Sequence, residues 1–215
     1  MLVRNNDFIE LEFIAKVKET GEIFDGTTAN GKNIPLKICV GEHMILEAFD
    51  KALEGKEIGK EYSLELVPEH AFGKRDNSLV KIIPISVFRK QGVNPAPGML
   101  YNIDGILVKI ISVSSGRVIT DFNHPLSGKN VIYSFKIKDF VKENDEKIKI
   151  LINSILRLKD KDYKIISENE TKKKIVLDIN NKGLAEMMKA LDSHVKTLIE
   201  KSKKLLQIEL SIEYG

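Results

Sequence analysis

The sequence predicts an α+β protein in which strands dominate the first two thirds and helices return near the end. Three observations lead to this prediction. Apolar and polar residues alternate through 7–17, one short stretch at 45–53 has helical spacing, and helical and strand patterns alternate after residue 143. The 215 residues are enough for one or two compact domains.

Up to residue 83 the pattern is that of strands around one short helix. The alternation over 7–17 leads into a turn at 19–22, which is typical of a hairpin. Residues 34–41 and 62–67 are predicted as strands. Between them the apolar spacing of 45–53 predicts a helix, which ends at the following glycine.

The segment from Pro84 to Pro125 is predicted as a small all-β unit of about forty residues. Its short alternating runs are separated by turn residues, among them Asp104-Gly105, a strong hairpin signal. A further strand at 130–140 then closes the first sheet. These runs cover residues 99–103, 106–113 and 118–122.

The last part predicts an αββαβ unit. Helical spacing from Ile148 to Leu156 is followed by two short strands, a second helix and a final strand. The strands and helix are placed at 163–167, 174–179, 184 to about 199 (entered through Asn180–Gly183) and 205–213.

Composition excludes several functional classes. The 34 basic and 31 acidic residues leave a net charge of +3 without a basic arm, so nothing indicates a nucleic-acid partner. No apolar run is long enough to cross a membrane, and the first residues lack the apolar centre of a signal peptide. With one cysteine, Cys39, no internal disulfide is possible, and a cytoplasmic protein is predicted.

No motif for a cofactor, metal or nucleophile is present. GxxxxGK[ST], GxGxxG and GxSxG do not occur. The four histidines (His43, His70, His124 and His194) show no metal-ligand spacing, so we expect neither a metal nor a cofactor. Lys172–Lys174 favours a solvated turn, with an anion patch as the alternative.

Several separated motifs resemble those of one enzyme family. Phe24-Asp25-Gly26, Pro35–Ile38, Val40–Phe49 and Pro68–Gly73 occur in the order found in the FKBP family of peptidyl-prolyl cis-trans isomerases. The stretch Asn123–Asn130 is similar to a signature of its SlyD-like branch. The resemblance covers about residues 1–140, and the His- and Cys-rich metal-binding tail of bacterial SlyD is absent.

The resemblance implies three domains. Residues 1–83 and 125–142 would form an FKBP domain, an antiparallel sheet wrapped on a short helix. Residues 84–124 would form a chaperone domain inserted in its flap, and residues 143–215 an additional C-terminal α/β domain. The implied partners are unfolded or partly folded polypeptides that contain proline.

The resemblance also implies the site, since isomerisation of an Xaa–Pro bond needs no nucleophile or metal. Phe49 would form the floor under the proline, Asp25 would lie near the substrate carbonyl, and the backbone N–H of Leu46 would hold the peptide. Without the resemblance, the apolar members would be interpreted as core and Asp25 as a turn cap. The implied catalytic residues are Phe24, Asp25, Phe72 and Tyr133, and the substrate-binding residues are Ile14, Leu36, Ile45, Leu46 and Phe49.

Two positions depart from the family, because Ile14 and Phe72 stand where many members have tyrosine. The hydroxyl missing at Phe72 predicts retained isomerase activity with weaker macrolide binding. Two alternatives stay open: a non-catalytic chaperone with a degenerate pocket, and an adaptor whose function resides in 143–215. That segment could form a homodimer or dock on another protein.

Overall fold

A computed structural model describes residues 1–29, 32–103, 105–177 and 192–214 of the chain. The fold is α+β with mostly antiparallel sheets and few helices, as the sequence predicts. The elements in chain order are β1 (Phe8–Val17), β2 (Ile23–Gly26), β3 (Thr28–Ala29), β4 (Lys32–Asn33), β5 (Leu36–Cys39), α1 (Glu47–Leu53), β6 (Glu61–Leu66), β7 (Val80–Pro84), α2 (Ile85–Lys90), β8 (Leu100–Ile103), β9 (Ile106–Ser114), β10 (Arg117–Asp121), β11 (Val131–Phe140), α3 (Asn144–Leu156), β12 (Tyr163–Ser167), β13 (Lys172–Leu177), α4 (Asp192–Leu206) and β14 (Glu209–Tyr214).

The chain divides into two compact units. The first contains Met1–Ile14, Asp25–Leu64 and Tyr133–Gly215, and the second contains Ala15–Phe24 and Glu65–Ile132. None of the described helices is long and apolar enough to cross a membrane.

The main sheet has the strand order β2-β1-β11-β6, and β5 pairs with β1 in antiparallel register from Phe8 opposite Cys39 to Leu11 opposite Leu36. Its inward face follows the pleat, because Tyr133, Phe135 and Ile137 of β11 alternate with more exposed residues. Helix α1 packs against this face through Phe49, whose ring centroid lies 5.1 Å from that of Phe135.

Helix α1 begins at Glu47, two residues later than the spacing of Ile45–Leu53 predicts. Leu46 is the N-cap with an extended backbone (φ −53°, ψ 127°), and Glu47 and Asp50 place negative charge in the first turn, where the helix dipole favours it. Ile45 and Leu46 therefore belong to the connection that enters the helix, where their side chains are only half-buried.

The second unit contains a four-stranded antiparallel sheet of order β7-β10-β9-β8. The prediction of an all-β segment at 84–124 is wrong in one respect, because α2 follows β7 directly. Its Phe88 is buried against Ile110 and Val118 of the sheet. Six residues are too short to produce a helical period in a sequence. Asp104 of the expected turn lies outside the described residues.

The C-terminal segment contains α3 and a three-stranded sheet of order β12-β13-β14, with β13 and β14 parallel. Helix α4 continues to Leu206, past the predicted end near Ile199, and β14 begins only at Glu209. The predicted helix entry at 180–183 and the helix start at 184 lie outside the described residues.

The C-terminal segment shares its core with the first strands. Phe8 and Cys39 pack in one buried cluster with Ile148 and Leu151 of α3 and Leu198 of α4. Residues 143–215 consequently fall in the same compact unit as α1 and β5, whereas the sequence predicts a domain of their own.

Candidate active site

The first unit contains a cavity of about 990 Å³, at the upper end of the range for ligand pockets. It lies where β5, the connection to α1 and the first residues of β11 meet. Six of the residues expected at the site line it together: Asp25, Leu36, Ile45, Leu46, Phe49 and Tyr133.

Aromatic rings close the bottom of the cavity. Phe49 is 1% exposed, and its ring centroid lies 4.5 Å from that of Tyr133 and 5.7 Å from that of Phe13. These edge-on and tilted contacts are the favoured geometries of aromatic pairs. Because Phe49 is packed on several sides by other rings, it presents a fixed apolar surface to whatever enters the cavity.

Phe13, which was not a predicted site residue, lines the cavity where its neighbour Ile14 was expected. Phe13 is 8% exposed and lines the cavity, whereas Ile14 is 41% exposed and does not. Both residues line a second depression beside Tyr62 and Lys136. Successive side chains of a strand point to opposite faces, and of these two residues Phe13 is the one that lines the cavity. The assignment of Ile14 to substrate binding stays a prediction, and the structure adds Phe13 as a candidate.

Thr27 fixes Phe13 at this place. The N–H of Phe13 donates to Thr27 Oγ1 at 3.1 Å, and the Phe13 carbonyl accepts the N–H of Thr27 at 2.9 Å. These bonds hold β1 against the end of β2, and both residues line the cavity. The alternation of β1 in the sequence contained the signal for Phe13, and nothing local in the sequence indicated Thr27.

Asp25 lies at the exposed rim of the cavity. Its Oδ1 accepts the N–H of Gly26 at 2.8 Å, which is the turn-capping role considered for it. Burial raises the pKa of Tyr133 to about 12, and the negative charge of Asp25 adds to this effect. The phenol of Tyr133 therefore stays protonated at neutral pH beside a carboxylate.

The wall formed by Ile45 and Leu46 is held by a buried carboxylate. Asp50 is 2% exposed, and its two oxygens accept the N–H groups of Gly41 and His43, both at 3.0 Å. Asp50 thereby ties the connection that follows β5 to the first turn of α1. It was not a predicted site residue, because an acidic residue on a short helix is usually solvated.

Gly41 cannot be replaced freely in this connection. Its φ is +84°, and a Cβ there would lie 1.7 Å from Oδ1 of Asn5. Glycine is the residue that adopts such a φ without steric cost.

The backbone N–H of Leu46 has a defined place at the cavity. The Leu46 carbonyl accepts from Phe49 and Asp50, both at 2.9 Å. Its N–H donates to no acceptor within the part of the chain that the structure describes.

Phe24 and Phe72, two of the expected catalytic residues, belong to the second unit, where they contact each other. Their rings meet edge to face at 5.6 Å, and the imidazole of His124 stacks on Phe72 at 4.8 Å. Ser127 Oγ donates to the Phe72 carbonyl at 3.2 Å. The sequence places these residues far apart in the chain, and the second unit brings them into one aromatic cluster.

The described residues contain no group of three or more His, Cys, Asp or Glu side chains arranged to hold a metal ion. The cavity has an aromatic floor, apolar residues from β5 and the connection to α1, and a carboxylate at its rim.

Comparison with known families gives two matches. A family described as FKBP-type peptidyl-prolyl cis-trans isomerase matches residues 2–88, and one described as FKBP26, IF domain, matches residues 81–126.

Individual relatives agree with these matches. A short-type peptidyl-prolyl cis-trans isomerase of Methanocaldococcus jannaschii is 32% identical over 149 residues, covering 64% of this chain and 94% of that protein. A probable FKBP-type 16 kDa isomerase of Pseudomonas fluorescens is 30% identical over 141 residues, covering 64% and 91%. An FKBP-type isomerase of Aeromonas hydrophila, SlyD, is 32% identical over 123 residues, covering 56% and 57%.

Proposed function

The chain belongs to the FKBP-type peptidyl-prolyl cis-trans isomerases, and we propose that it isomerises Xaa–Pro bonds of folding polypeptides in the cavity above Phe49. The observation that carries this proposal is the packed floor of aromatic rings beneath half-buried apolar walls. Such a surface accepts a proline ring and excludes water from the bond next to it.

Isomerisation of an Xaa–Pro bond needs no reactive side chain. The barrier to rotation is the amide resonance, about 18–20 kcal/mol, and uncatalysed Xaa–Pro isomerisation takes tens to hundreds of seconds. The planar amide is more dipolar than the twisted transition state, so transfer into an apolar cavity favours the transition state. Reaching milliseconds requires a reduction of about 7 kcal/mol in the barrier.

Each predicted residue then has a role to test. Phe49 supports the proline ring, and Leu36 and Ile45 form the sides of the cavity. The N–H of Leu46 holds the peptide backbone, and Asp25 acts on the polar carbonyl at the rim. Phe24, Phe72 and Tyr133 stay predicted catalytic residues, and Phe13 joins them as part of the floor.

The test is isomerisation of a short Xaa–Pro peptide by the wild type and by Asp25→Ala. Removal of this carboxylate should reduce kcat/KM by about ten-fold or more, because its charge no longer acts on the dipole of the substrate carbonyl. Asp139→Ala is the matched control, because Asp139 also accepts the N–H of the next residue, at 2.8 Å, but does not line the cavity. If the wild type does not accelerate isomerisation, the cavity is only a binding scaffold.

We further propose that the segment at 84–124 holds unfolded chains for the isomerase. Its buried core in the second unit is small, with Phe88, Ile110 and Val118 at its centre, and large apolar side chains remain outside. Among these, Ile106 is 53% and Leu107 is 49% exposed. A holding site in the same chain would raise the local concentration of substrate.

The holding proposal predicts a selective defect. The double variant Ile106→Gln/Leu107→Gln should keep peptide isomerisation and lose about ten-fold in catalysis of a proline-limited refolding reaction. The control is Ile23→Gln/Ile166→Gln, which removes comparably exposed isoleucines elsewhere. Equal losses of the first variant in both assays would contradict this division of roles.

Three further predictions go with this function. The expected partners are unfolded or partly folded polypeptides, and the expected location is the cytoplasm. A homodimer formed through residues 143–215 is a third expectation, which sizing of the full chain would test.

A further inference from the structure

One wall of the cavity packs against a core that α4 shares. Three residues of the connection between β5 and α1 line the cavity: Met44, Ile45 and Leu46. Met44 also packs against the buried cluster that contains Cys39 of β5 and Leu198 of α4. Its Sδ accepts the N–H of Cys39 at 3.4 Å. Met44 therefore belongs both to the cavity and to the core that the C-terminal segment completes.

An ion pair joins α4 to the same connection. Lys201 follows Leu198 by three positions and so lies on the same side of the helix. Its ammonium group donates to the carboxylate of Glu42. The side chain of Glu42 is only 12% exposed. A carboxylate with so little access to water depends on a partner of opposite charge, which Lys201 supplies.

The backbone on both sides of Glu42 is left-handed. The φ angle is +84° at Gly41 and +54° at His43. A residue other than glycine keeps this conformation only where its surroundings hold it. Asp50 of α1 accepts the N–H groups of Gly41 and His43, whereas the side chain between them is paired with Lys201, 159 positions later in the chain.

The charges around Cys39 show the same grouping. Burial raises the pKa of the Cys39 thiol to about 12. Nearby carboxylates add to this rise (Glu42, Asp50 and Asp7), whereas the charge of Lys201 opposes it. Removal of Lys201 would therefore take a positive charge away from a group of carboxylates at the connection.

We propose that Lys201 is a positioning residue of the isomerase, which holds the connection carrying Ile45 and Leu46 at the cavity through its ion pair with Glu42. The inference rests on the proposed function, because it concerns a wall of the same cavity. The family matches cover residues 2–88 and 81–126, so α4 lies outside both. The C-terminal segment then contributes to substrate binding through a residue that does not line the cavity.

The first measurement is isomerisation of a short Xaa–Pro peptide by Lys201→Met. We expect kcat/KM to fall about five-fold, mostly through KM, because the wall shifts while the aromatic floor stays in place. Lys201→Arg keeps the positive charge and should retain the wild-type values. Lys204→Met is the matched control, because Lys204 is an exposed lysine of the same helix that does not line the cavity.

A double-mutant cycle tests whether Lys201 acts through Glu42. Glu42→Gln and Lys201→Met should each lower kcat/KM, and the double variant should be no worse than the weaker single variant. Losses that multiply in the double variant mean that the two residues act independently, which overturns the proposal.

The thiol of Cys39 reports on the connection itself. Cys39 is the single cysteine of the chain and is 0% exposed, so an aromatic disulfide reagent reacts with it only after an opening of the fold. Lys201→Met should be labelled about ten-fold faster than its global unfolding, measured in urea, allows. Loss of the positive charge would by itself raise the pKa of the thiol and slow the reaction, so faster labelling reports a looser connection.

The proposal is overturned if Lys201→Met matches Lys204→Met in kcat/KM and labelling rate. It is also overturned if labelling of Lys201→Met is no faster than global unfolding allows, because the ion pair then contributes only to stability. A wild type that isomerises no peptide would instead refute the proposed function, and the labelling rates would still decide whether α4 holds the connection.

Discussion

Asp50→Asn tests whether one buried carboxylate holds the active-site wall. Asp50 accepts two backbone N–H groups at 3.0 Å, from Gly41 and His43, and is 2% exposed. Asparagine keeps one acceptor oxygen and places a donor where the second N–H points. The loss is one hydrogen bond to a charged group and one part-buried N–H left unpaired, about 2–4 kcal/mol in the free energy of unfolding.

The assay is urea unfolding followed by circular dichroism, because the chain has no tryptophan. For a loss of about 3 kcal/mol and a slope of about 2 kcal/mol per molar urea, the midpoint falls by about 1.5 M. Because the connection carries Ile45 and Leu46, kcat/KM for a short peptide should also fall by about ten-fold.

Asp139→Asn is the control, since Asp139 accepts a backbone N–H at 2.8 Å but its side chain is 59% exposed. It should unfold near the wild-type midpoint and keep its activity. If Asp50→Asn behaves like this control, the carboxylate does not hold the connection, and the reasoning from burial is refuted.

Two further predictions concern the aromatic floor. Phe13→Leu should lower kcat/KM by about two- to ten-fold, whereas Ile14→Val should leave it unchanged; the reverse order in the peptide assay would favour Ile14 over Phe13 as the substrate-binding residue. Burial and the charge of Asp25 raise the pKa of Tyr133 from 10.0 to about 12, so the folded protein keeps this proton longer than the unfolded chain. The wild type should therefore lose stability between pH 10 and 12, and Tyr133→Phe should lose less in urea titrations across that range; parallel losses would contradict the assigned pKa.

The sequence was most informative where one strand has one buried face. The alternation of β1 and β11 predicts both strands, because a half-buried strand repeats every two residues. The alternation of β1 also places Phe13 and Ile14 on opposite faces of the strand. Ile14 was predicted from its position relative to the family, and such a position does not state which face of the strand a residue occupies.

Contacts between distant segments were not predictable in this way. Lys37 and Glu146 are 109 positions apart, and their hydrogen bond leaves no period or motif in either segment. The short helix α2 was missed for a different reason, since its burial rests on one residue, Phe88, in six. Both features depend on packing that only the folded chain shows.

The burial of Phe8 and Cys39 under α3 and α4 has a consequence for modularity. A chain cut after β11 would leave both residues, together with part of the cavity wall, facing water. The isomerase part of this protein is therefore not an independent folding unit, and the family-matched residues alone cannot be moved into another protein. A shorter isomerase with the same fold must cover the surface around Phe8 and Cys39 with other residues or make it polar. Recombination between short and long forms should therefore succeed only when Phe8 and Cys39 are replaced as well.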